Sequence, residues 1–321
     1  MRGIRRWAWV LLLVAVAQPG RSSAASEQPS QETTNAPAKA PAAAAPATTP
    51  PKEERPTPKP LPRDAQCGPL PAFSAVHFQP GEELEYDIDV LAANAARMEV
   101  VALPKDKNTL PIRVRIKTNT LFNKMRRVKA EAKSYLSAKT LHPNRYTEDA
   151  QEDDERHVSD VDFFPKGQMA NTIAVKSATN PSGSNSYNTV YDHYAHDGLD
   201  VLGAIYYIRS MDLKPGMSIC FDVFSMRTMW RVWGEVSGIE KVPSPMGEVE
   251  AFHITGTAAR LDNHDFQREL HVWITTDDKR IPLGALGAID LGPVRATLTH
   301  AGRVDDNKKK ESRAEGAGLD W

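Results

Sequence analysis

From residue 73 onward the chain alternates apolar and polar side chains with a period of two. Leu84, Tyr86, Ile88 and Val90 are interleaved with Glu83, Glu85, Asp87 and Asp89, and Ile112, Val114 and Ile116 with Arg113, Arg115 and Lys117. Successive side chains on a strand point to opposite faces. The alternation therefore predicts strands buried on one face and solvated on the other, as in antiparallel sheets. Thirteen such segments can be read, at 84–90, 98–103, 112–117, 128–136, 145–150, 157–164, 169–175, 217–224, 229–239, 248–256, 268–275, 281–289 and 294–300. Pro165-Lys166-Gly167, Pro243-Ser244-Pro245-Met246-Gly247 and Asp277-Asp278-Lys279 supply the turn residues between them. Asn180-Pro181-Ser182-Gly183-Ser184-Asn185-Ser186 reads as a longer polar loop. Segment 98–103 lies between the acidic and basic strands, so a meander sets their charged rows two strands apart on the outer face. Exposed pairs contribute only about 0–1 kcal/mol each, and both rows are expected to be solvated.

The period breaks once, in the stretch DGLDVLGAIYYIRSMDLKPG at 197–216. Val201, Leu202, Gly203, Ala204, Ile205, Tyr206, Tyr207 and Ile208 leave no polar stripe at helical spacing, and a helix that is apolar all round has to be enclosed. Asp197 or Asp200 can cap its start, and Lys214-Pro215-Gly216 cannot continue it. Gly203 sits where alanine would favour the helix by about 1 kcal/mol, which points to a close neighbour at that turn. The fold class that follows is mainly β: a single large antiparallel barrel or strongly curved sheet enclosing one apolar helix. A two-sheet sandwich with the helix at one end is the competing arrangement.

Composition divides the 321 residues into four segments. Residues 1–25 carry Arg2, Arg5 and Arg6, an apolar run at 7–17 and small residues up to Ala24-Ala25, which is the layout of a secretory signal with an apolar run too short to span a bilayer. Residues 26–65 hold ten prolines and nine alanines and no aromatic residue, a composition expected to form a disordered, extended linker. Residues 66–302 form the β-rich exported domain, and 303–321 a charged tail. The expected location is outside the cytoplasm, in the periplasm or at the cell surface of a Gram-negative bacterium, with no transmembrane anchor after cleavage.

Charge and cysteines narrow the partners. Without residues 1–25 the chain keeps 36 basic against 41 acidic residues, a formal charge of −5, which argues against nucleic acid. Cys67 and Cys220 are the only two cysteines, and in an exported chain such a pair is expected to form a disulfide.

The search for chemistry ends without a motif. There is no nucleophile elbow, phosphate loop, Cys-Xaa-Xaa-Cys or His-Glu-Xaa-Xaa-His, so neither an enzyme nor a cofactor is expected. Asp192-His193 with His196-Asp197 has the spacing of two metal ligands on a helix but lacks a third, and reads as a capping loop. His264 beside Asp262 and Asp265 reads as a polar turn. The acidic run 148–155 lacks the ordered glycine of a calcium loop and reads as a solvated hairpin tip. Adjacent Asp277 and Asp278 would point to opposite faces and do not make a catalytic pair. The aromatic supply is more informative: Leu202, Ile205, Tyr206, Tyr207, Trp230, Trp233 and Trp273 are candidates to line a cavity, with ordinary core packing as the alternative.

Three stretches also carry a family pattern. Phe78-Gln79-Pro80-Gly81-Glu82-Glu83-Leu84-Glu85-Tyr86 is the first. Ile205-Tyr206-Tyr207-Ile208-Arg209 with Leu213-Lys214-Pro215-Gly216 is the second, and Trp273-Ile274-Thr275-Thr276-Asp277-Asp278-Lys279-Arg280-Ile281-Pro282-Leu283 the third. In order and spacing they resemble a family of bacterial exported proteins known as domain of unknown function 3108, over residues 73–302. The resemblance implies an exported β-rich domain and names no activity; the linker, the cysteine pair and the tail lie outside it. A curved antiparallel sheet with an apolar helix in its mouth is also similar to periplasmic lipoprotein carriers, in fold alone. Each stretch has a local explanation too: Pro80-Gly81 turns into a strand, Arg209 ends the helix where a cation suits its dipole, and Asp277-Asp278 turns a hairpin. The functional expectation is a non-enzymatic module binding an apolar or lipid-like ligand between sheet and helix. The alternative is a scaffold that docks an envelope protein, with an envelope hydrolase third.

Overall fold

Strands form where the alternation demands them. The computed structural model of the protein describes residues 67–164, 172–180, 185–191, 198–225, 228–263, 266–289 and 292–304. β1 (Glu82–Val90) buries Leu84, Tyr86, Ile88 and Val90, and β3 (Thr109–Thr118) buries Ile112, Val114 and Ile116. Between them runs β2 (Ala93–Ala102), and β4 (Val128–Ser137), β5 (Pro143–Glu152), β6 (Glu155–Phe164), β7 (Thr172–Asn180) and β8 (Asn185–Tyr191) continue the antiparallel meander. The chain then passes to β9 (Gly198–Asp200) and helix α1 (Val201–Ser210), and returns through β10 (Ser218–Ser225), β11 (Thr228–Ser244), β12 (Gly247–Arg260), β13 (Gln267–Thr275), β14 (Pro282–Ile289) and β15 (Gly292–Arg303).

β15 pairs with β1, so the two meanders join into one fifteen-stranded sheet whose edges are β8 and β9. β9 pairs in parallel with β10, and every other neighbouring pair is antiparallel. The sheet is a nearly closed barrel: β9 comes against β5, and α1 packs on β4, β9 and β10 at the seam. The expectation of one barrel or curved sheet around a single helix holds, and the sandwich alternative does not.

Two strands escape the sequence reading. The expected loop 180–186 contains the end of β7 and the start of β8. β9 was read as part of the helix approach; three residues are too few to show a period, and its strand identity comes from pairing with Val223 and its neighbours on β10. Asp200 is the cap actually used, its carboxylate accepting from Gly203 N at 2.8 Å. β15 runs to Arg303, one residue into the expected tail. The signal, the linker, most of the tail, Pro165-Lys166-Gly167, the Asp192-to-Asp197 cluster and His264 with Asp265 lie outside the described residues.

Part of each charged row pairs with a neighbouring strand, and Lys117 stands solvated as expected. Arg97 lies 4.0 Å from Asp87, Arg113 binds Glu99 at 2.8 Å and Arg115 binds Glu131 at 2.7 Å. The acidic run 148–155 is likewise only partly a solvated tip. Asp153 and Asp154 are exposed at the β5–β6 turn, but Glu148 and Glu152 turn inward, where Tyr146 donates to Glu148 at 2.9 Å and Arg126 pairs with Glu152.

Candidate functional site

α1 has two faces with different neighbours. Val201, Ala204, Ile205 and Ile208 recur at helical spacing and face Ile219, Phe221 and Val223 of β10, Val232, Trp233 and Gly234 of β11, Ile254 and Gly256 of β12, and Leu270, Val272 and Ile274 of β13. These residues enclose a cavity of about 50 Å³ with an almost wholly apolar wall. Gly234 and Gly256 stand directly opposite each other in its floor. A Cβ on Gly234 would come within 2.2 Å of Thr255 O and one on Gly256 within 2.6 Å of Trp233 O, so the two strands cross there too closely for any side chain, and bare backbone leaves the space above open.

The other face of α1 is clamped. A strap, residues 67–78, crosses it: Phe73 meets Tyr207 edge-on at 5.5 Å, Phe78 meets Tyr206 at 4.5 Å, Tyr207 donates to Pro71 O at 3.2 Å, and Ser74 donates to Asp212 at 2.9 Å. The expected disulfide joins Cys67 at the head of this strap to Cys220 on β10, with Cα atoms 5.1 Å apart. Gly203 has the close neighbour its presence implied, since a Cβ there would lie 3.2 Å from Leu136 Cδ2 on β4.

Both helix ends are held by buried charge. At the start, Asp200 receives Ser134 Oγ at 2.6 Å across the barrel seam as well as Gly203 N. Burial pushes its carboxyl up to about 6, with the Gly203, Ser134 and Leu202 hydrogen bonds offsetting part of the rise. At the end, Arg209 is fully enclosed. Its guanidinium forks onto Glu82 at 2.6 and 2.9 Å, donates to Arg280 O at 2.8 Å and Lys279 O at 3.1 Å, and lies 4.8 Å from the Tyr206 ring centre. Burial would lower its affinity for a proton, but the Glu82 hydrogen bonds and charge outweigh that and hold it above the ordinary arginine value. Tyr86 and Tyr206 beside it are pushed up, burial being the largest cause. Tyr86 donates to Pro282 O at 2.8 Å.

The three stretches singled out in the sequence thus meet at one point. Phe78, Glu82 and Tyr86 come from the first, Tyr206 and Arg209 from the second, and Lys279, Arg280 and Pro282 from the third. This cluster is enclosed and fixes the helix end: Arg209 and Tyr86 spend their donors on Glu82 and backbone carbonyls, while the buried Tyr206 hydroxyl and the Nε and Nη1 of Arg280 have no hydrogen-bond partner among the described residues.

The residues expected around a cavity separate into three groups. Ile205 and Trp233 line the one described here. Leu202, Tyr206 and Trp230 are fully buried elsewhere in the core, and Tyr207 lies between Phe73 and His142. Trp273 alternates with the cavity-lining Val272 and Ile274 and so stands on the opposite face of β13. There it stacks on His253 at 4.7 Å, while His253 Nε2 and His271 Nδ1 are 2.9 Å apart and His271 Nε2 lies 3.0 Å from Glu269. This carboxylate–imidazole–imidazole row is not legible in the sequence because His253 comes from β12 while Glu269 and His271 lie on β13, and only the alternation that puts 269, 271 and 273 on one face hints at it. Among the described residues no three His, Cys, Asp or Glu side chains converge as a metal site.

Comparison with solved structures shows distant likenesses. A beta-barrel-like protein of the unknown-function family DUF1849 from Brucella abortus is 11% identical with a TM-score of 0.45, over 70% of this chain and 98% of that one. The hypothetical lipoprotein YmcC from Escherichia coli is 9% identical with a TM-score of 0.30, over 70% and 87%. A protein with a YmcC-like fold from Bacteroides fragilis is 6% identical with a TM-score of 0.27, over 74% and 100%. No curated protein matches the sequence. The family model described as "Protein of unknown function (DUF3108)" matches residues 84–299, most of the described barrel, and the chain belongs to that family.

Proposed function

We propose that the protein is a non-enzymatic module of the cell envelope that binds the apolar end of a lipid-like molecule between α1 and strands β10–β13. The observation that carries this reading is the cavity itself. One face of α1 and four strands present apolar side chains to a shared space, and the paired glycines keep its floor clear. Apolar pockets of this kind bind by burial of apolar surface, with selectivity set by shape. At about 50 Å³ the space takes the end of a chain rather than a whole lipid. Ile205 and Ile208, the two helix residues that are only half-buried, are the side chains able to turn aside for more. Export follows from the basic and apolar opening of the sequence and the proline-rich stretch behind it.

The test is extraction and native mass spectrometry of protein purified from its own envelope. Wild type is expected to carry acyl-chain material. Ala204→Val, which adds two methyl groups to the cavity from the helix side, is expected to abolish it with little change in the melting temperature. Wild type that repeatedly emerges ligand-free, or a filled variant that carries as much as wild type, would sink the reading.

A further inference from the structure

Apolar side chains and cations gather at one end of the barrel in a way the fold does not need. Leu91 in the β1–β2 turn and Leu121 and Met125 in the β3–β4 loop are 61%, 72% and 71% exposed, the three most exposed large apolar side chains among the described residues. They belong to one surface. Asn119 donates from its backbone to Ala95 O at 2.9 Å and from its side chain to Asn94 O at 2.6 Å, which fastens the loop to the start of β2. Phe122, between Leu121 and Met125, packs with Val294 against Val90 and Ala95. Leu91 and Ala92 also hold φ of 52° and 63°, the left-handed region that hairpin turns ordinarily give to Asn and Gly. An exposed leucine in that conformation is disfavoured by water and by its own backbone.

Directly behind these tips is a row of unbalanced positive charge. Arg97, Lys117 and Lys129 stand opposite one another on β2, β3 and β4, all exposed. Like charges facing across a ladder cost stability. The next row on the same face mixes signs, as Glu99, Arg115 and Glu131. The acids nearest the β3–β4 loop are already engaged, Glu152 with Arg126, Asp153 with the backbone N–H of Arg127 and Asp154 with its guanidinium, and Asp89, two residues before Leu91, stands opposite Arg295 of β15. Asp87 reaches Arg97 only at 4.0 Å, and Lys117, Lys124 and Lys129 have no ion-pair partner among the described residues.

We infer that this end of the barrel docks on an anionic phospholipid bilayer, with Leu91, Leu121 and Met125 entering the interface and the cationic row at headgroup height. A protein partner would call for a contiguous apolar patch depleted of charge. Here the apolar groups sit on separate tips with Lys124 between two of them, which suits a surface that is apolar beneath and anionic above. The inference is independent of the cavity reading.

Flotation with vesicles tests it, using protein purified from its own envelope so that N-terminal processing is common to wild type and variants. Wild type is expected to float with vesicles containing phosphatidylglycerol and to be released by high salt. The pair Leu121→Ser with Met125→Ser, and separately Lys117→Gln with Lys129→Gln, are each expected to reduce binding about tenfold or more at unchanged melting temperature. Met246→Ser, on an exposed apolar residue in the β11–β12 turn, is expected to bind as wild type. Wild type that does not float, binding equal on pure phosphatidylcholine, variants that bind like wild type, or an equal loss in Met246→Ser would each overturn the inference.

Discussion

At the scale of single residues the helix start is the most informative position. Asp200 is fully buried, caps α1 through Gly203 and crosses the barrel seam to Ser134, and burial lifts its carboxyl to about 6 from the unfolded value of about 3.9. The folded state therefore holds a proton that the unfolded chain releases. That contribution to stability is fully present below about pH 4 and is lost as pH rises through about 6. The shift of roughly two units corresponds to about 3 kcal/mol. Asp200→Asn keeps a good capping side chain and cannot ionise. The stability difference between variant and wild type, measured by urea unfolding, is expected to move in the variant's favour by about 2 kcal/mol between pH 4 and pH 7. A difference constant with pH would show that the carboxyl is not held up by burial. An aspartate cap, at 197 or 200, and Gly203 as a point of close approach were both legible in the sequence, because each is a rule about a residue and its near neighbours in the chain; which aspartate caps was settled by the fold. The burial of Arg209 was not. As the last cation of a helix it reads as a solvated dipole partner, and Glu82, which makes burial tolerable, lies far away in sequence.

At the scale of elements, alternation revealed thirteen strands because each buries one face and the period is a property of the strand itself. β8 and β9 were missed for the opposite reason: the first is largely polar, the second is three residues long, and pairing defines both. The apolar helix was legible, but the split between a cavity face and a strap face was not, since both faces are apolar and only the partners differ. What the partners do is testable at the helix end. A buried pair broken on one side leaves a desolvated charge, at a cost of about 3–5 kcal/mol. Glu82→Ala is expected to lose that much in urea unfolding, because it strands the Arg209 guanidinium against two carbonyls and two rings. Replacing Arg209 by Met together with Glu82→Leu removes both charges and is expected to recover most of the loss. A single Glu82→Ala variant within about 1 kcal/mol of wild type would mean that the pair is open to water, as exposed pairs are worth that little.

At the scale of the whole molecule, the barrel is held by its two ends meeting and by one covalent tie. β1 and β15 zip the first and last strands together, and Cys67–Cys220 fixes the strap that covers α1, 153 residues apart in sequence. In the chain-entropy view a loop of this length stabilises by up to about 5 kcal/mol, reduced by whatever structure the unfolded chain keeps. At about 2–4 °C per kcal/mol for a domain of this size, Cys220→Ser is expected to lower the melting temperature by on the order of 10 °C. Because the tie is covalent and redox-dependent, wild type with reductant should melt with the variant, and the variant should ignore reductant. Its position adds a second signature. Strap residues 67–78 reach the core chiefly through contacts on α1, so in the variant hydrogen exchange should quicken in the strap and in the helix, while β2 and β3, which are not among the strands α1 packs on, keep their protection. Equal melting of wild type and variant without reductant would reject the bridge as a stabilising element, and loss spread evenly over all strands would show that the strap is not what holds the helix in place.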